Sequence, residues 1–263
     1  MSVDIIIPVY GRYDLLEDCL NSIPLAFPDT PYKVYVFDNA TPMDHNEKQK
    51  FFSKHAVKVT FSKQNVGFPL ACNASAQKGK GKYIFLLNSD VVLDPGSGEV
   101  LVRYLAEHED VGVVGMKLLF PSNVVGEDAN IRPAGKVQHV GITFDINAKP
   151  QHAFVGWSAD NPKTMGVIEP DAVTGAALMT RRSLWYKIGG LNRKYGMGSV
   201  EDCAYCLSVK KLGHRIVVPT EAQGTHYTGG STTKETRFPL DFNMQLLYQE
   251  WMGSIQWTDG RIL

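Results

Sequence analysis

Two acidic side chains in this sequence directly follow apolar runs that have the length of buried strands. Asp90 comes shortly after the run Tyr83–Leu87, and Asp38 comes directly after Lys33–Phe37. In an open parallel sheet, ligands bind in the crevice beyond the carboxyl ends of the strands, so both carboxylates are placed where a ligand would meet them. Asp is also a favoured turn residue, and a role in the following turn explains Asp90 equally well from this stretch alone.

The sequence lacks the glycine-rich loops that bind phosphate in many nucleotide-binding proteins. No G-x-G-x-x-G pattern and no P-loop pattern follows any predicted strand, so dinucleotide binding and P-loop chemistry lack their phosphate cradle. A divalent metal ion held by carboxylates can replace that cradle, because a hard cation bridges carboxylate oxygens and a diphosphate. A phosphate-containing ligand would therefore have to be bound in another way, and such a metal ion would do this.

A further acidic pair, Glu201 and Asp202, lies in the first turn of a helix predicted over Ser199–Gly213. A serine at the start, lysines in the last turn and a terminal glycine mark both helix ends. Asp202 is aligned with mainly apolar positions at i+3, i+4 and i+7, and Glu201 points about 100° away, so we expect Asp202 to face inward. Ser199-x-x-Asp202 is also a capping-box pattern, and the local pattern alone favours a cap over catalysis.

The polar segment EAQGTHYTGGSTTKETR, residues 221–237, contains the histidine His226 and the basic residues Lys234 and Arg237. Its composition indicates that it forms no core element. Glycines, hydroxyl groups and positive charges suit a mobile lid over an anionic ligand. A solvated loop explains the same composition, although it accounts less readily for a histidine close to two glycines.

Alternating apolar and amphipathic segments predict the framework that carries these residues. Strands are predicted over Val3–Val9, Lys33–Phe37, Val57–Phe61, Lys82–Leu87, Val111–Leu118, Asp171–Thr180 and His214–Pro219. Helices are predicted over Tyr13–Ile23, in the polar stretch up to Lys54, from Pro69 to about Lys78, around Val100–Leu105, over Ser199–Gly213 and over Asp241–Trp251. This alternation indicates an α/β fold with a mostly parallel sheet flanked by helices. Short β-like pieces between Phe120 and Trp157 indicate a small β excursion.

Composition narrows the classes of protein that this chain can belong to. The 263 residues are 44% hydrophobic, enough for a sizeable core, and 27 basic residues balance 27 acidic ones. With no net charge, no global field attracts nucleic acid. No apolar run is long enough to span a bilayer, and no signal peptide is recognised, so we expect a cytoplasmic protein. The four cysteines, which include Cys203-x-x-Cys206, fit buried thiols better than a disulfide or zinc pattern.

Several motifs in register resemble the family-2 glycosyltransferases of GT-A fold, most closely the rhamnosyltransferase-like branch. They are IIIPVYGRYDLLEDCLNSI, VFDNAT, NVGFPLACNASAQKGKGKYIFLLNSDVVLDPG, VTGAALMTRRSLWYKIGGLNRKY and VEDCAYCLSVKKLGHRI, which together span nearly the whole chain. The resemblance implies a single GT-A domain over residues 1–263, with a nucleotide-binding half (1–118) and an acceptor-side half (119–263) that carries the C-terminal lid and helix. It also implies a nucleotide-sugar donor, a divalent Mn²⁺ or Mg²⁺ ion, and sugar transfer with inversion.

The resemblance assigns roles to individual residues. The expected donor-binding residues are Pro8, Val9, Tyr10, Arg12, Asp38, Asn65, Gly67, Phe68, Asn88, Ser89 and Lys234. Asn88-Ser89-Asp90 matches the family's Asp-any-Asp metal motif, with Asp90 as the metal ligand and with Asn88 as a departure that brings no charge. His226 resembles the distal histidine that completes the metal site. Asp202 resembles the general base that takes the proton of the acceptor hydroxyl.

The resemblance leaves the substrates open. A UDP-sugar is the first expectation for the donor, ahead of thymidine and guanosine diphosphate sugars. The acceptor is expected to be a hydroxyl group of a glycan, a lipid-linked glycan at the membrane surface or another molecule, as in polysaccharide biosynthesis. Two other hypotheses are a nucleotidyltransferase that makes nucleotide sugars and a non-catalytic module that binds sugar nucleotides or glycans.

Overall fold

The computed structural model describes residues 1–122, 133–145, 147–227 and 239–251. In the first half of the chain, strands and helices alternate. The elements are β1 (Val3–Val9), α1 (Tyr13–Ala26), β2 (Tyr32–Asp38), α2 (His45–Phe52), β3 (Val57–Phe61), α3 (Phe68–Ala76), β4 (Tyr83–Leu87), β5 (Val91–Leu93), α4 (Ser97–Glu107), β6 (Val111–Gly115) and β7 (Lys117–Leu119).

The second half of the chain begins with short strands and ends with helices. Its elements are β8 (Val137–His139), β9 (Ile142–Phe144), β10 (Pro150–His152), β11 (Val167–Ile168), β12 (Ala177–Arg181), α5 (Arg182–Ile188), α6 (Glu201–Lys211), β13 (Arg215–Pro219), β14 (Gln223–His226) and α7 (Leu240–Trp251). Single turns of 3₁₀-helix occupy Pro162–Thr164 and Arg193–Tyr195.

The central sheet has eight strands in the order β11-β13-β6-β12-β4-β1-β2-β3. The neighbours β4, β1, β2 and β3 run parallel, and so do β6 and β13. β12 runs antiparallel between β4 and β6, because it enters the sheet from the opposite end after the β excursion. The sheet is therefore mostly parallel, and the carboxyl ends of β1 and β4 lie side by side at one edge.

Apolar side chains cover both faces of this sheet. Ile5 and Ile7 of β1 belong to the core that α1 and α4 cover, whereas Ile6 belongs to the core on the opposite face. This alternation follows from the two-residue period of a strand. Residues of α3, α5, α6 and α7 fill the second core, which includes Cys203 and Cys206. All four cysteines are free and buried, as the sequence indicates.

A second sheet, in the order β5-β14-β7-β8, corrects two expectations. The predicted strand Val111–Leu118 is divided at Met116 between the two sheets, as β6 and β7. Residues 221–237 were expected to form no core element, but their first part forms β14 in the middle of the small sheet. β14 can be polar because backbone hydrogen bonds to strands on both sides hold it in the sheet. Of its four residues, only Gly224 and His226 are buried. The rest of the segment expected to form a lid, residues 228–237, lies outside the described residues.

The boundaries of α1 also differ from the prediction. The helix continues past Pro24 to Ala26, and the N–H group of Phe27 still donates to the carbonyl of Ile23 at 3.0 Å. Proline removes one backbone donor but keeps a φ compatible with a helix, and the buried Ala26 and Phe27 favour the extra turn. Among the helices of the described residues, none combines the length and the apolar character that a membrane crossing needs.

Candidate active site

A cavity of about 540 Å³ opens at the edge of the sheet where β1 and β4 end. The end of β1 and the residue after it contribute Pro8, Val9 and Tyr10, and the residues after β4 contribute Asn88, Ser89 and Asp90. Parallel neighbours end at the same edge, so the two segments meet although about 80 positions separate them in the sequence. The volume lies within the range typical of small-molecule sites.

The side of the cavity formed by β1 also contains Asn39, Asn65 and Phe68. The Oδ1 atom of Asn39 accepts a hydrogen bond from the N–H group of Val66 at 2.7 Å, and the Oδ1 atom of Asn65 accepts one from the N–H group of Gly67 at 3.0 Å. These bonds shape the loop between β3 and α3. Gly67 itself has φ +82°, and a Cβ atom there would lie 2.2 Å from the carbonyl oxygen of Gly196, so only glycine lets the loop approach so closely.

Asp38 and Arg12 do not reach the cavity. Asp38 is fully buried, and its carboxylate accepts hydrogen bonds from the Tyr13 hydroxyl, the Lys48 ammonium group (3.0 Å) and the Thr41 N–H group (3.0 Å). Because three protein groups already bind the Asp38 carboxylate, it is not available to a ligand. The next residue, Asn39, lines the cavity instead. Arg12 is exposed and pairs with Asp14 at 2.7 Å. Lys234 lies outside the described residues.

Asp90 and His226 meet at the opposite side of the cavity. The Nε2 atom of His226 lies 3.2 Å from the Oδ1 atom of Asp90, and both side chains are largely buried. β14 places His226 directly opposite Val91 of β5, next to Asp90, through antiparallel pairing. The sequence contains no local pattern that joins the two residues, which are 136 positions apart.

Gln138 fixes the orientation of the His226 ring. Its Nε2 atom donates to the backbone carbonyl of His226 at 3.1 Å, and its Oε1 atom lies 2.7 Å from the Nδ1 atom of the ring. The Nδ1 atom must therefore carry a proton and donate it to Gln138, which turns the Nε2 atom toward Asp90. The Nε2 atom and the Asp90 carboxylate oxygen are close enough to share a proton or to bind one metal ion. A carboxylate and an oriented imidazole fit a divalent metal ion.

Asp202 reaches the cavity from the first turn of α6. Its Oδ2 atom accepts a hydrogen bond from the backbone N–H group of Gly175 at 2.8 Å, and its Oδ1 atom accepts one from the N–H group of Cys203 at 2.8 Å. Gly175 precedes β12 and also lines the cavity, so α6 and β12 together hold the carboxylate there. The expected capping box is absent, because Val200 occupies the N-cap position with φ 58° and Ser199 makes no side-chain cap.

Glu201 is the more buried member of the acidic pair, which corrects the inward orientation predicted for Asp202 alone. Both residues line the cavity, but Glu201 is only 5% exposed and its Oε2 atom has no hydrogen-bond partner among the described residues. Burial, reinforced by the neighbouring Asp202 carboxylate, raises the pKa of Glu201 to about 8. Glu201 therefore keeps its proton to a higher pH than an exposed glutamate does. The helical alignment missed it because this helix is buried on nearly all sides, so its apolar positions do not mark a single inward face.

The ionisable residues of the cavity are mainly acidic. Asp90, Glu201 and Asp202 are its acidic residues, His226 is the one titratable base, and no lysine or arginine lines it among the described residues. A diphosphate would meet unfavourable charge there unless a metal ion or a basic residue from another part of the chain compensated it. No group of three or more His, Cys, Asp or Glu side chains among the described residues is arranged to hold a metal ion, so Asp90 and His226 are only a pair of candidate ligands.

Comparison with known proteins places the chain among sugar-transferring enzymes. Residues 4–186 match the model of the family described as "Glycosyl transferase family 2". The O-antigen biosynthesis protein RfbC of Myxococcus xanthus is 26% identical over 264 residues, a match that covers 95% of this chain and 19% of that protein. An uncharacterized glycosyltransferase of Rickettsia bellii is 30% identical over 106 residues, covering 40% of this chain and 15% of the relative.

Solved structures share the fold at low sequence identity. GalNAc-T7, solved with UDP, GalNAc and Mn²⁺, superposes with a TM-score of 0.71 at 12% identity and covers 97% of this chain. The mannosyltransferase PcManGT of Pyrobaculum calidifontis, solved with GDP-Man and Mn²⁺, superposes with a TM-score of 0.58 at 18% identity and covers 89%. The chain spans 19% of the length of RfbC and 49% of the GalNAc-T7 chain, so it corresponds to one part of each.

Proposed function

The chain belongs to glycosyl transferase family 2, and we propose that it uses a divalent metal ion to transfer a sugar, with inversion, from a nucleoside diphosphate sugar to a hydroxyl group of an acceptor. The enzyme is a glycosyltransferase of GT-A fold. One observation carries the proposed mechanism: the Asp90–His226 pair and the Asp202 carboxylate line the same cavity at the carboxyl ends of parallel strands. A ligand in this cavity can therefore contact a cation held by Asp90 and His226 and, at the same time, the proton acceptor Asp202.

Asp90 and His226 are the residues that would hold the metal ion, with Asn88 beside them as an uncharged neighbour. A divalent ion bound there supplies positive charge that stabilises the diphosphate as the bond to the sugar breaks. Gln138 keeps the Nε2 lone pair of His226 directed toward Asp90. Asn39, Asn65, Phe68 and the Pro8–Tyr10 segment receive the nucleoside, which places the sugar between the metal site and Asp202.

Asp202 accepts the proton of the attacking acceptor hydroxyl. The acceptor oxygen forms a bond to the anomeric carbon, the bond from that carbon to the phosphate oxygen breaks, and the nucleoside diphosphate leaves with the bonding electrons. The N–H groups of Gly175 and Cys203 hold the Asp202 carboxylate in place for this transfer. Glu201 is the weaker candidate for a nucleophile, because burial beside Asp202 raises its pKa and favours the uncharged acid. A single displacement with inversion is the course that these residues support.

For the donor, a UDP-sugar is the first proposal. GalNAc-T7 was solved with UDP and Mn²⁺, whereas PcManGT was solved with GDP-Man and Mn²⁺, which keeps a guanosine donor as the next possibility. For the acceptor, the similarity to an O-antigen biosynthesis protein supports a glycan or lipid-linked glycan hydroxyl in polysaccharide biosynthesis. The proposed compartment is the cytoplasm, with lipid-linked acceptors reached at the membrane surface.

In this proposal, the two halves of the chain bind different substrates. Residues 1–118 contribute Asn39, Asn65 and Asp90 and bind the nucleotide and the metal ion, and residues 119–263 contribute Asp202 and the acceptor side. His226 completes the metal site from the second half. No lysine or arginine among the described residues lines the cavity. Lys234 and Arg237, which lie outside the described residues, are the proposed sources of positive charge for the diphosphate.

A turnover assay tests the proposed function. The protein is incubated with Mn²⁺ and a panel of UDP-, dTDP- and GDP-sugars, with and without glycan acceptors, and the released nucleoside diphosphate is measured. We expect release from a UDP-sugar that requires Mn²⁺, and we expect NMR to show the inverted anomeric configuration in the product. Retention of configuration would contradict the single displacement, and pyrophosphate release from a nucleoside triphosphate would identify a nucleotidyltransferase instead.

A further inference from the structure

The turn that precedes Glu201 and Asp202 has an unusual backbone. Between Gly196 and Val200, four of the five residues have positive φ: Gly196 (57°), Gly198 (120°), Ser199 (89°) and Val200 (58°). A positive φ is rare for any residue other than glycine, and it is especially unfavourable for a β-branched residue such as valine. Such strain persists only where surrounding structure stabilises it, and it is often found next to functional groups.

Asn243 of α7 is the residue that holds this turn. Its side chain is fully buried, and its Nδ2 atom donates to the backbone carbonyls of Tyr195 (2.9 Å), Gly198 (2.7 Å) and Ser199 (3.2 Å). The two N–H hydrogens of this amide group are thus shared among three carbonyl oxygens of the turn. A side chain without a donor would leave these buried oxygens without this partner.

Glu250, seven residues later on α7, forms a second attachment. Its carboxylate accepts hydrogen bonds from the Tyr195 hydroxyl at 3.1 Å and from the Asn192 side chain at 3.2 Å. Leu247, which lies between them on the same face of the helix, is buried in the second core. Helix α7 therefore binds the segment from Asn192 to Ser199 through the hydrogen bonds of Asn243 and of Glu250, and the buried Leu247 lies between these two residues.

The held segment continues directly into the acidic pair. Ser199 and Val200 immediately precede Glu201, the first residue of α6. The N–H group of Phe68 donates to the carbonyl of Met197 at 3.1 Å. The turn thereby connects α7, the acidic pair and the loop before α3. Leu240, the first residue of α7, lines the cavity itself.

We propose that Asn243 is a positioning residue for sugar transfer, because it holds the strained turn that fixes Asp202 and Glu201 in the cavity. Helix α7 is then a functional part of the site and more than a packing element. The family match ends at residue 186, before this helix begins, so it assigns no role to α7. The proposal rests on the proposed function, since it concerns the geometry of the same general base.

The test combines kinetics with hydrogen exchange in the full chain. Asn243→Leu removes the donors and keeps similar bulk, and Asn243→Ser keeps one donor. We expect kcat to fall by about 10- to 100-fold in Asn243→Leu, with a smaller loss in Asn243→Ser, because small displacements of catalytic groups cost rates of this order. The KM for the donor should stay within about threefold. The matched control is Gln245→Ala, an exposed position on the same helix, and it should behave as the wild type.

Hydrogen–deuterium exchange provides a measurement that does not depend on turnover. We expect faster exchange of the amides in residues 198–203 of Asn243→Leu, with unchanged exchange in the strands of the central sheet. A folded Asn243→Leu variant with wild-type kcat, or with wild-type exchange in this segment, would overturn the proposal. If Asn243→Leu does not fold, the same comparison is made with Asn243→Ser. A wild-type protein that transfers no sugar would refute the proposed function, while the exchange data would still report whether Asn243 holds the turn.

Discussion

The Oδ2 atom of Asp202 accepts a hydrogen bond from the backbone N–H group of Gly175 at 2.8 Å, which ties the first turn of α6 to the residues before β12. Gly175 has little free space, since a Cβ atom there would lie 3.2 Å from the Phe68 ring and 3.5 Å from the Asp202 Cβ atom. The backbone amide therefore lies in contact with the carboxylate that we propose as the general base, and the small residue at position 175 permits that contact.

Replacing Asp202 by asparagine should remove the proton acceptor and keep the shape of the site. We expect kcat to fall by about 10²- to 10⁴-fold, which is the usual contribution of a positioned general base. The affinity for a nucleoside diphosphate with Mn²⁺ should change little. Initial-rate kinetics and calorimetry measure the two effects, with the exposed Asp18→Asn as the matched control. A wild-type kcat in a folded Asp202→Asn variant would show that another group takes the proton.

The orientation of His226 by Gln138 should matter for metal affinity. In Gln138→Leu the ring loses the acceptor for its Nδ1 proton, and we expect Mn²⁺ to bind about 10- to 100-fold more weakly, the usual effect of losing such a supporting hydrogen bond. His226→Gln should weaken binding at least as much. Mn²⁺ binding is measured by electron paramagnetic resonance, and the exposed His45→Gln is the control. Unchanged Mn²⁺ affinity in both variants would place the metal ion elsewhere.

The raised pKa of Glu201 predicts how stability depends on pH. The folded protein keeps the Glu201 proton up to about pH 8, whereas the unfolded chain releases it near the ordinary value of 4.5, so the folded state binds more protons between these values. Stability contributed by this residue is therefore complete at low pH and is lost as pH rises through that window, by at most about 1.4 kcal/mol per pH unit. The groups that interact with Glu201 are Asp202, Cys72, Tyr195 and Cys203.

Urea unfolding of wild type and Glu201→Gln between about pH 5 and pH 9 checks this prediction. The glutamine variant has no proton to lose at this position, so its free energy of unfolding should decrease less over this range. The difference in stability between the variant and the wild type should therefore shift in favour of the variant as pH rises. The exposed Glu109→Gln should follow the wild-type curve. Parallel curves for wild type and Glu201→Gln would mean that Glu201 is ionised in the folded protein throughout.

Gly11 and Gly67 should differ in what an added side chain costs, because Gly67 combines a steric clash with a backbone conformation (φ 82°, ψ 166°) that residues other than glycine rarely adopt. Both have positive φ (72° and 82°), but a Cβ atom at Gly11 would meet nothing within 4 Å, whereas at Gly67 it would lie 2.2 Å from the Gly196 carbonyl oxygen. We expect Gly11→Ala to cost about 1–2 kcal/mol of stability, the usual price of a left-handed alanine. Gly67→Ala should cost clearly more and should also lower kcat, because it pushes on the turn before Asp202. Equal losses of stability in the two variants would contradict this reasoning.

The sequence predicts those parts of the site that depend on strand ends. The apolar run before Asn88 and Asp90 identifies a buried strand, and the parallel arrangement then places its end beside Tyr10. The same reasoning fails for Asp38, because its burial depends on Lys48 and Tyr13, whose side chains reach it only in the folded chain. A carboxylate at a strand end can face the ligand or the core, and the local sequence does not distinguish the two.

Other features depend on contacts between distant segments. Helical alignment predicted that Asp202 and not Glu201 faces inward, but both line the cavity, and the helix that carries them is buried on nearly all sides. The polar strand β14 carries no apolar signal, since its place in the small sheet comes from backbone pairing with β5 and β7. Asn243 carries no sequence signal either, because a single asparagine in an amphipathic helix does not reveal the carbonyls it will meet.

The central claim is that Asp90 and His226 hold a cation against the diphosphate of a sugar nucleotide, with Asp202 across the cavity. Crystals grown with Mn²⁺ and UDP, measured at a wavelength where manganese scatters anomalously, test it most directly. We predict an anomalous peak with Asp90 and His226 as ligands, the diphosphate bound to the same ion, and the uridine beside Asn39 and Asn65. Manganese and phosphates bound away from Asp90, or a nucleotide outside this cavity, would contradict the account.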